Sequence, residues 1–254
     1  MRFFPKIKSI KGLYNLKSRF REKKYFFYDL IYLLKNNTPL DFVINFFKNN
    51  YQKNINKHQL KEYFLSTKFD DFDWFLFKTP LFIDYFKGKQ AKIKNILEIG
   101  SYEGRSSIFF LNFFKQSKLH CVDTWLGSDE HGKDNMYKVE ENFDYNLKNF
   151  SERFKKNKMT SDEYFKKNNL YFDLIFIDGL HHFDQVLKDA ENSSNFLNHN
   201  SYLLFDDYTY KGVEYKKGEN VLNAVNHFLK IHKNHFEIIY ISEQVLLKKK
   251  ILSK

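Results

Sequence analysis

Residues 96–107 read ILEIGSYEGRSS, and the fold prediction depends on this stretch. Its apolar start, Ile96–Ile99, predicts a buried strand. Gly100 and Gly104 predict a tight turn, and Ser106 opens the helix that follows. Glycine lets the backbone turn sharply and approach a ligand closely, while a helix N-terminus presents free N–H groups. The stretch therefore predicts a ligand-binding loop between a strand and a helix.

From Asn95 onward, short apolar runs alternate with longer amphipathic ones, a pattern typical of βα units around a mostly parallel sheet. Strands are predicted at Ile96–Ile99, Leu119–Val122, Leu174–Ile177, Tyr202–Phe205, Phe236–Ile241 and Val245–Lys248, with one more near Lys158–Thr160. Helices are predicted at Ser106–Lys115, Phe183–Asn198 and Val221–His232. Because only Ser242–Gln244 separate the last two strands, they can form an antiparallel hairpin but not a parallel crossover. We predict an α/β fold with a Rossmann-like, seven-stranded, mostly parallel sheet that ends in an antiparallel hairpin.

Three segments are predicted along the chain. Residues 1–68 form a basic N-terminal extension, in which apolar residues recur at helical spacing and Pro39 stands at an early helical position. Residues 69–94 form an aromatic connector that covers the mouth of the next segment. Residues 95–254 form the sheet domain.

Charge and cysteine content limit the classes of function. Residues 1–60 hold 13 Lys and Arg residues against three acidic ones, in a chain of formal net charge +11. This region can dock on a phosphate-rich partner or an anionic membrane surface, or it is simply a solvated helical face. The single cysteine, Cys121, excludes an internal disulfide framework and fits a reducing compartment. Since no run approaches the roughly 20 apolar residues of a membrane span, we expect a soluble, cytoplasmic protein.

The glycine loop differs from a dinucleotide-binding loop, G-x-G-x-x-G, whose middle glycine leaves room for a pyrophosphate. Tyr102 holds that middle position here, and its side chain obstructs a pyrophosphate. Glu98 suits a cationic amino group better than a phosphate. About twenty residues further on, Asp123 ends a strand at the point where a carboxylate can bind the two hydroxyls of a ribose. This order of residues argues against NAD.

Three carboxylates are predicted at neighbouring strand ends: Asp178 follows one apolar strand, and Asp206 and Asp207 follow the next. Ligands bind outside the carboxyl ends of the strands in an open α/β sheet, so these groups should converge there. Clustered carboxylates repel one another unless a cation, a proton or an arginine neutralises them, and a hard divalent ion is a natural solution. Alternatively, Asp178 orients a cofactor or caps a turn, and the pair caps a loop.

The stretches ILEIGSYEGRSS, VDTW and FIDGLHHFDQVLKDA resemble the first, second and fourth motifs of class I S-adenosylmethionine (SAM)-dependent methyltransferases. The resemblance implies SAM as the cofactor, with its methionine end on the glycine loop, its ribose on Asp123, and its adenine beside Trp125 or the Ser161-Asp162 pair. The implied cofactor-binding residues are Glu98, Gly100, Ser101, Gly104, Ser106, Asp123, Trp125, Ser161 and Asp162.

Within that class, the carboxylate pattern is similar to metal-dependent O-methyltransferases, particularly the macrolide-sugar O-methyltransferases and the cephalosporin hydroxylase-like group. This similarity implies Mg²⁺ or another divalent metal on Asp178, Asp206 and Asp207, and catalytic roles for Asp178 and His181. A metal that binds the substrate oxygens lowers the pKa of a hydroxyl. His181 would then accept the proton as a general base.

The leading hypothesis is metal-dependent O-methylation of a hydroxyl on a small molecule, a sugar or a glycan. One alternative is an RNA methyltransferase that uses the basic extension, although the chain has no N-P-P-Y motif for base amino groups. Another is a catalytically inactive SAM-fold binding module. Contact of the basic N-terminus with a membrane and homo-oligomer formation are left open.

Overall fold

A seven-stranded sheet with helices on both faces forms the body of the protein. The computed structural model describes residues 23–50, 60–70, 72–128, 135–210 and 219–251. Its strands are β1 (Asn95–Ile99), β2 (Lys118–Asp123), β3 (Phe154–Lys158), β4 (Phe172–Ile177), β5 (Leu197–Phe205), β6 (Phe236–Ile241) and β7 (Val245–Lys249). Its α-helices are α1 (Lys23–Lys35), α2 (Leu40–Asn50), α3 (Pro80–Phe86), α4 (Arg105–Phe113), α5 (Met136–Leu147), α6 (Ser161–Lys167), α7 (Phe183–Asn195) and α8 (Val221–His232).

The strand order is β3-β2-β1-β4-β5-β7-β6. Strands β1 to β5 pair in parallel, while β7 runs antiparallel to both β5 and β6. The short link between β6 and β7 leaves no room for a crossover, which explains the reversal. The predicted fold class is confirmed.

Side chains alternate between two hydrophobic clusters on opposite faces of the sheet, as the period of two in a strand requires. In β4, Ile175 and Ile177 point into the cluster that contains α7 and α8, whereas Leu174 and Phe176 point into the one that contains α3 and α4. Both faces of the central strands are therefore buried, as expected of a parallel sheet.

Several predicted boundaries are wrong, and the largest difference is in β5, which begins at Leu197 instead of Tyr202. The strand expected near Lys158–Thr160 is β3 at Phe154–Lys158, an edge strand in which only Asn157 is buried, so its sequence carries little apolar signal. Helix α7 ends at Asn195 instead of Asn198, because β5 already begins at Leu197. Helix α4 ends at Phe113, two residues earlier than predicted.

The described part of the N-terminal extension packs on the sheet domain. Leu33 of α1 and Val43 and Phe46 of α2 are buried in the same hydrophobic cluster as β5 and α8. Helix α2 also bonds to β6, since the Asn45 side chain accepts from the Ile241 N–H at 2.9 Å. Most of the basic residues that suggested a phosphate-rich partner lie in 1–22 and 51–59, outside the described residues. The segment boundaries after residues 68 and 94 stay predictions.

Among the described residues, no helix has the length and apolar character that crossing a bilayer requires.

Candidate active site

A cavity of about 530 Å³ opens at the carboxyl ends of the parallel strands. Its wall combines the loop after β1 with the ends of β2, β4 and β5 and with part of the aromatic connector. In the strand order, β1 lies between β2 and β4. The helices that follow β1 and β4, α4 and α7, lie on opposite faces of the sheet, so a crevice forms between the two strand ends. The volume falls in the range of about 300–1,000 Å³ that is usual for small-molecule sites.

Gly100 brings the backbone of β1 against that of β4. Its φ is +85°, and a Cβ at this position would lie 1.9 Å from the carbonyl oxygen of Asp178. Only glycine fits without moving the β4 loop. Ser101 of the same loop and Ser106 in the first turn of α4 line the cavity beside Gly100, whereas Gly104, at φ +81°, turns the chain into α4 behind the wall.

Asp123, at the end of β2, holds the glycine loop in place. Its Oδ2 accepts from the backbone N–H groups of Ser101 and Tyr102, both at 2.9 Å, and its Oδ1 accepts from the Trp125 N–H at 2.8 Å. The carboxylate also lines the cavity. Since two carboxylate oxygens offer about four acceptor positions, one remains for a ligand hydroxyl.

Glu98 lies behind the loop and does not line the cavity. Its side chain is fully buried, and Oε2 accepts hydrogen bonds from the hydroxyls of Ser101 and Ser107. Oε1 is buried and has no hydrogen-bond partner among the residues that the structure describes. Burial raises the pKa of Glu98 to about 7, against the lowering effect of its serine partners. Its contact with the cofactor stays a prediction, and its carboxylate connects Ser101 in the loop to Ser107 in α4.

The far end of the cavity is formed by Ser161 and Asp162, which begin α6. Trp125, the other predicted adenine contact, is 2% exposed and turned inward. Its indole N–H donates to the Tyr102 carbonyl at 2.9 Å, and its ring packs on Phe143. The structure thus keeps the Ser161-Asp162 pair beside the cavity and places Trp125 under the loop.

The acidic cluster also lines the cavity. The Nε2 atom of His181 is 3.5 Å from Asp178 Oδ1 and 3.6 Å from Asp207 Oδ2, and all three residues line the cavity. One ligand atom from each of the three lies within 4.8 Å of the others, close enough to hold a metal ion. Asp206, the third predicted metal ligand, does not line the cavity, because its carboxylate turns into the protein.

Lys78 is a member of this cluster that the sequence reasoning missed. Its Nζ is 2.8 Å from Asp206 Oδ1 and 2.5 Å from Asp207 Oδ1, and its side chain is 3% exposed. It stands in a 3-10 turn (Leu76–Lys78) that leads into α3. One signal could have found it: Lys78 is the only basic residue in the aromatic stretch 69–86.

The charged groups of the cluster shift one another's pKa values. Burial acts to lower the pKa of Lys78, but the charges of Asp206, Asp207 and Asp178 outweigh it, so the pKa is raised and the ammonium keeps its proton. Burial acts to raise the pKa of Asp207, but Lys78 and His181 lower it below its ordinary value. The pKa of Asp178 is raised, first by burial. The ion pair between Lys78 and Asp207 therefore persists at neutral pH.

Other wall residues were also missed. Gln185 and Asp189 of α7 lie beside Ser161, where Gln185 Nε2 donates to Ser161 Oγ and to Asp189 Oδ1, both at 3.1 Å. Their spacing of four on one helix face was a usable signal. Trp74 lines the mouth of the cavity and is 55% exposed, in edge contact with Phe72. Phe72, Trp74 and Phe75 of the aromatic connector thus line the cavity, and the connector's role as a cover stays a prediction.

Three non-glycine residues in the left-handed region surround the cavity: Tyr102 (φ +46°), Trp125 (φ +49°) and Asp207 (φ +54°). Such conformations cost energy and cluster at functional sites. At Asp207 the turn lets the backbone N–H bond to Asp206 Oδ1 at 2.8 Å. This bond and Lys78, which contacts both carboxylates, fix the orientation of the acidic pair.

Comparison with known proteins agrees with this geometry. Residues 97–208 match a family described as a methyltransferase domain. No curated protein matches the chain by sequence.

One similar solved structure is the O-methyltransferase TomG from Streptomyces achromogenes, which is involved in tomaymycin synthesis and was solved with SAM. It is 13% identical with a TM-score of 0.51, and the match covers 67% of this chain and 78% of TomG. A Staphylococcus aureus protein provisionally titled a caffeoyl-CoA O-methyltransferase is 17% identical with a TM-score of 0.50, over 90% of this chain and 100% of that one. An rRNA methylase from Streptococcus thermophilus is 11% identical with a TM-score of 0.50, and the match covers 68% of this chain and 96% of that one. These likenesses establish the fold alone.

Proposed function

We propose that this chain, whose residues 97–208 match a methyltransferase domain, is a class I SAM-dependent methyltransferase that transfers a methyl group to a hydroxyl of a small molecule such as a sugar or glycan unit. The observation that carries the hydroxyl assignment is the pair of carboxylates on either side of His181 Nε2, at 3.5 and 3.6 Å on the cavity wall. An alcohol needs to lose its proton to become a good nucleophile, and a base at this point supplies that step.

When bound, SAM supplies an electrophilic methyl group on a cationic sulfur. The chain's residues fit such a cofactor: Gly100 leaves its backbone open to a ligand, Ser101 and Ser106 offer polar groups beside it, and Asp123 keeps an acceptor position for a hydroxyl. We assign the adenine end to Ser161 and Asp162. Glu98, Gly104 and Trp125 support the loop from behind.

His181 is the proposed general base. Its Nε2 takes the hydroxyl proton, and the charges of Asp178 and Asp207 stabilise the imidazolium that forms. SAM held by the glycine loop would supply the methyl group to the deprotonated substrate oxygen, and its sulfur would leave as a neutral thioether. The Tyr210 ring, whose centroid is 4.8 Å from that of His181, holds the imidazole in orientation.

The predicted Mg²⁺ set of Asp178, Asp206 and Asp207 does not fit a divalent ion well, because Lys78 bonds to Asp206 and to one oxygen of Asp207. No step above depends on a metal.

The test is methyl transfer from isotopically labelled SAM to a panel of nucleotide sugars, free sugars and phenols, with products read by mass spectrometry. We expect an O-methyl product and one demethylated cofactor per turnover. His181→Asn should lower kcat about 10²- to 10⁴-fold and leave the SAM dissociation constant within about twofold, since no cofactor-loop residue changes.

His182→Asn is the matched control. His182 is the neighbouring histidine, does not line the cavity, and precedes α7 at a position that asparagine suits. Full turnover by His181→Asn, or label found only on nitrogen or on RNA, would refute the proposal.

A further inference from the structure

Lys78 makes the contacts that a cation shared by the acidic strand ends would make. Its ammonium group touches Asp206 Oδ1 at 2.8 Å and Asp207 Oδ1 at 2.5 Å, and these two carboxylates follow β5 directly. Asp206 Oδ1 accepts the Asp207 N–H as well. Two of the three oxygen donors expected for a metal therefore already have a positively charged partner.

We propose that Lys78 is the built-in cation of this cluster and that the chain transfers its methyl group without a divalent metal. The claim of metal-independent methyl transfer rests on the proposed function, whereas the role of Lys78 as the cation does not. A lysine supplies a point charge and three hydrogen-bond donors, enough to hold two carboxylates in fixed orientations. In this position Lys78 is a positioning residue, which acts on the reaction through Asp207 and His181.

The three remaining donors are a poor substitute metal site. Asp178, His181 and Asp207 have ligand atoms within 4.8 Å of one another. An ion bound there would share Asp207 with the Lys78 ammonium, and the two positive charges would repel at close range. It would also need the same imidazole nitrogen that faces both carboxylates, which would remove the proposed base.

The lysine is delivered by a rigid element. Asp73 Oδ1 accepts from the N–H groups of Phe75 and Leu76, at 3.1 and 2.8 Å, and fixes the turn that carries Lys78. The Phe75 ring packs against Phe109, Phe110 and Phe176 in the core. The ammonium position is therefore set by packing, as a bound ion's position is set by its ligands.

The experiment is a titration of purified protein with Mn²⁺, followed by electron paramagnetic resonance of the free ion. We expect the full-length wild type to bind Mn²⁺ no more tightly than millimolar. Lys78→Met keeps the length of the side chain but removes its charge, and it should tighten binding at least tenfold because three carboxylates then face one another. Lys78→Arg, which keeps the cation, should behave as the wild type.

Lys156→Met is the matched control. Lys156 also bridges two carboxylates, Glu140 at 2.9 Å and Asp144 at 2.7 Å, but it lies outside the cavity with 24% of its side chain exposed. Its loss should leave Mn²⁺ affinity within about twofold. Micromolar Mn²⁺ binding by the wild type, or no gain in Lys78→Met, would overturn the proposal.

If Lys78→Met does not fold, a second variant can still test whether Lys78 takes the place of a metal ion. The double variant Lys78→Met/Asp206→Asn removes one positive and one negative charge together and should fold. It should bind Mn²⁺ more tightly than the wild type, because Asp178, His181 and Asp207 then face the ion without the competing ammonium, and no gain would overturn the proposal. On the acceptor found with the panel, wild-type turnover should persist in EDTA, and its loss with recovery in Mg²⁺ would refute metal independence. If the panel yields no acceptor, the proposed function fails while Mn²⁺ binding still decides the role of Lys78.

Discussion

At the scale of single residues, the site depends on groups that the fold holds in unfavourable states. Gly100 stands where no side chain fits, Glu98 is a carboxyl group with one unbonded oxygen in the interior, and Asp207 has a left-handed backbone. Each keeps the loop or the acidic cluster in one geometry. Substitutions at such positions should have effects well above those of surface changes.

Gly100→Ala should destabilise the fold and abolish cofactor binding. The left-handed backbone alone costs an alanine about 1–2 kcal/mol, and the clash with the Asp178 carbonyl adds to that. Gly88→Ala is the matched control, because Gly88 has φ +75° but no atom within 4 Å of its Cβ position. Urea denaturation and calorimetric titration with the demethylated cofactor measure both effects. Equal losses in the two variants would contradict the clash argument.

Glu98 should make the stability of the wild type pH-dependent. Burial raises its pKa to about 7 in the folded chain from an ordinary 4.5, so the folded state binds the proton more tightly than the unfolded state. The stability contributed by this proton is complete below pH 4.5 and is lost as pH rises through 7.

Glu98→Gln should therefore gain stability relative to the wild type, by about 3 kcal/mol between pH 4.5 and 8. Urea denaturation of both proteins across that range measures the difference. Glu237→Gln, at an exposed position on β6, should show no such trend. A Glu98→Gln difference that is flat with pH would show that the burial argument fails.

At the scale of elements, the N-terminal helices brace the strand end that carries the acidic pair. Tyr32 of α1 donates its hydroxyl to the Tyr210 carbonyl at 3.2 Å, and Phe46 of α2 packs near Tyr208. Tyr208 in turn donates to Asn226 of α8 at 2.7 Å. The backbone that follows Asp207 is thus held between α1, α2 and α8.

Asn45→Ala should weaken the attachment of α2 to β6. The substitution leaves the Ile241 N–H without its 2.9 Å partner and also removes the 2.6 Å acceptor of Asn49. An unsatisfied group of this kind costs about 1–3 kcal/mol. Ile44→Ala, at a neighbouring side chain that is 60% exposed, should stay within about 0.5 kcal/mol. Urea denaturation separates the two, and equal effects would contradict the bracing role.

At the scale of the whole molecule, the helical extension and the sheet share one hydrophobic cluster. Leu33, Val43 and Phe46 belong to it together with Phe205 and Phe228. A shared core of this kind couples the unfolding of its parts.

Unfolding should therefore follow a single transition. Both tryptophans, Trp74 and Trp125, lie outside α1 and α2, so fluorescence reports on the cavity region while far-UV circular dichroism also reports on the N-terminal helices. We expect equal midpoints by the two probes in urea. A circular dichroism transition that precedes the fluorescence change would show that α1 and α2 detach independently.

The amino-acid sequence by itself determined six of the seven strands, helices α4, α7 and α8, and the strand ends that carry Gly100, Asp123, Asp178 and the acidic pair. These follow from local patterns: apolar runs, glycine turns, and the short link between β6 and β7. The polar edge strand β3 was misplaced because an edge strand needs little apolar sequence.

Only the tertiary structure decided what each site residue contacts. Trp125 and Glu98 turn behind the loop, and Asp206 turns toward Lys78, which is 128 positions away along the chain. The physical reason is that side-chain direction and charge pairing depend on packing between distant segments. A local pattern can place a carboxylate at a strand end, but the identity of its cation is set by whichever group the folded chain brings there.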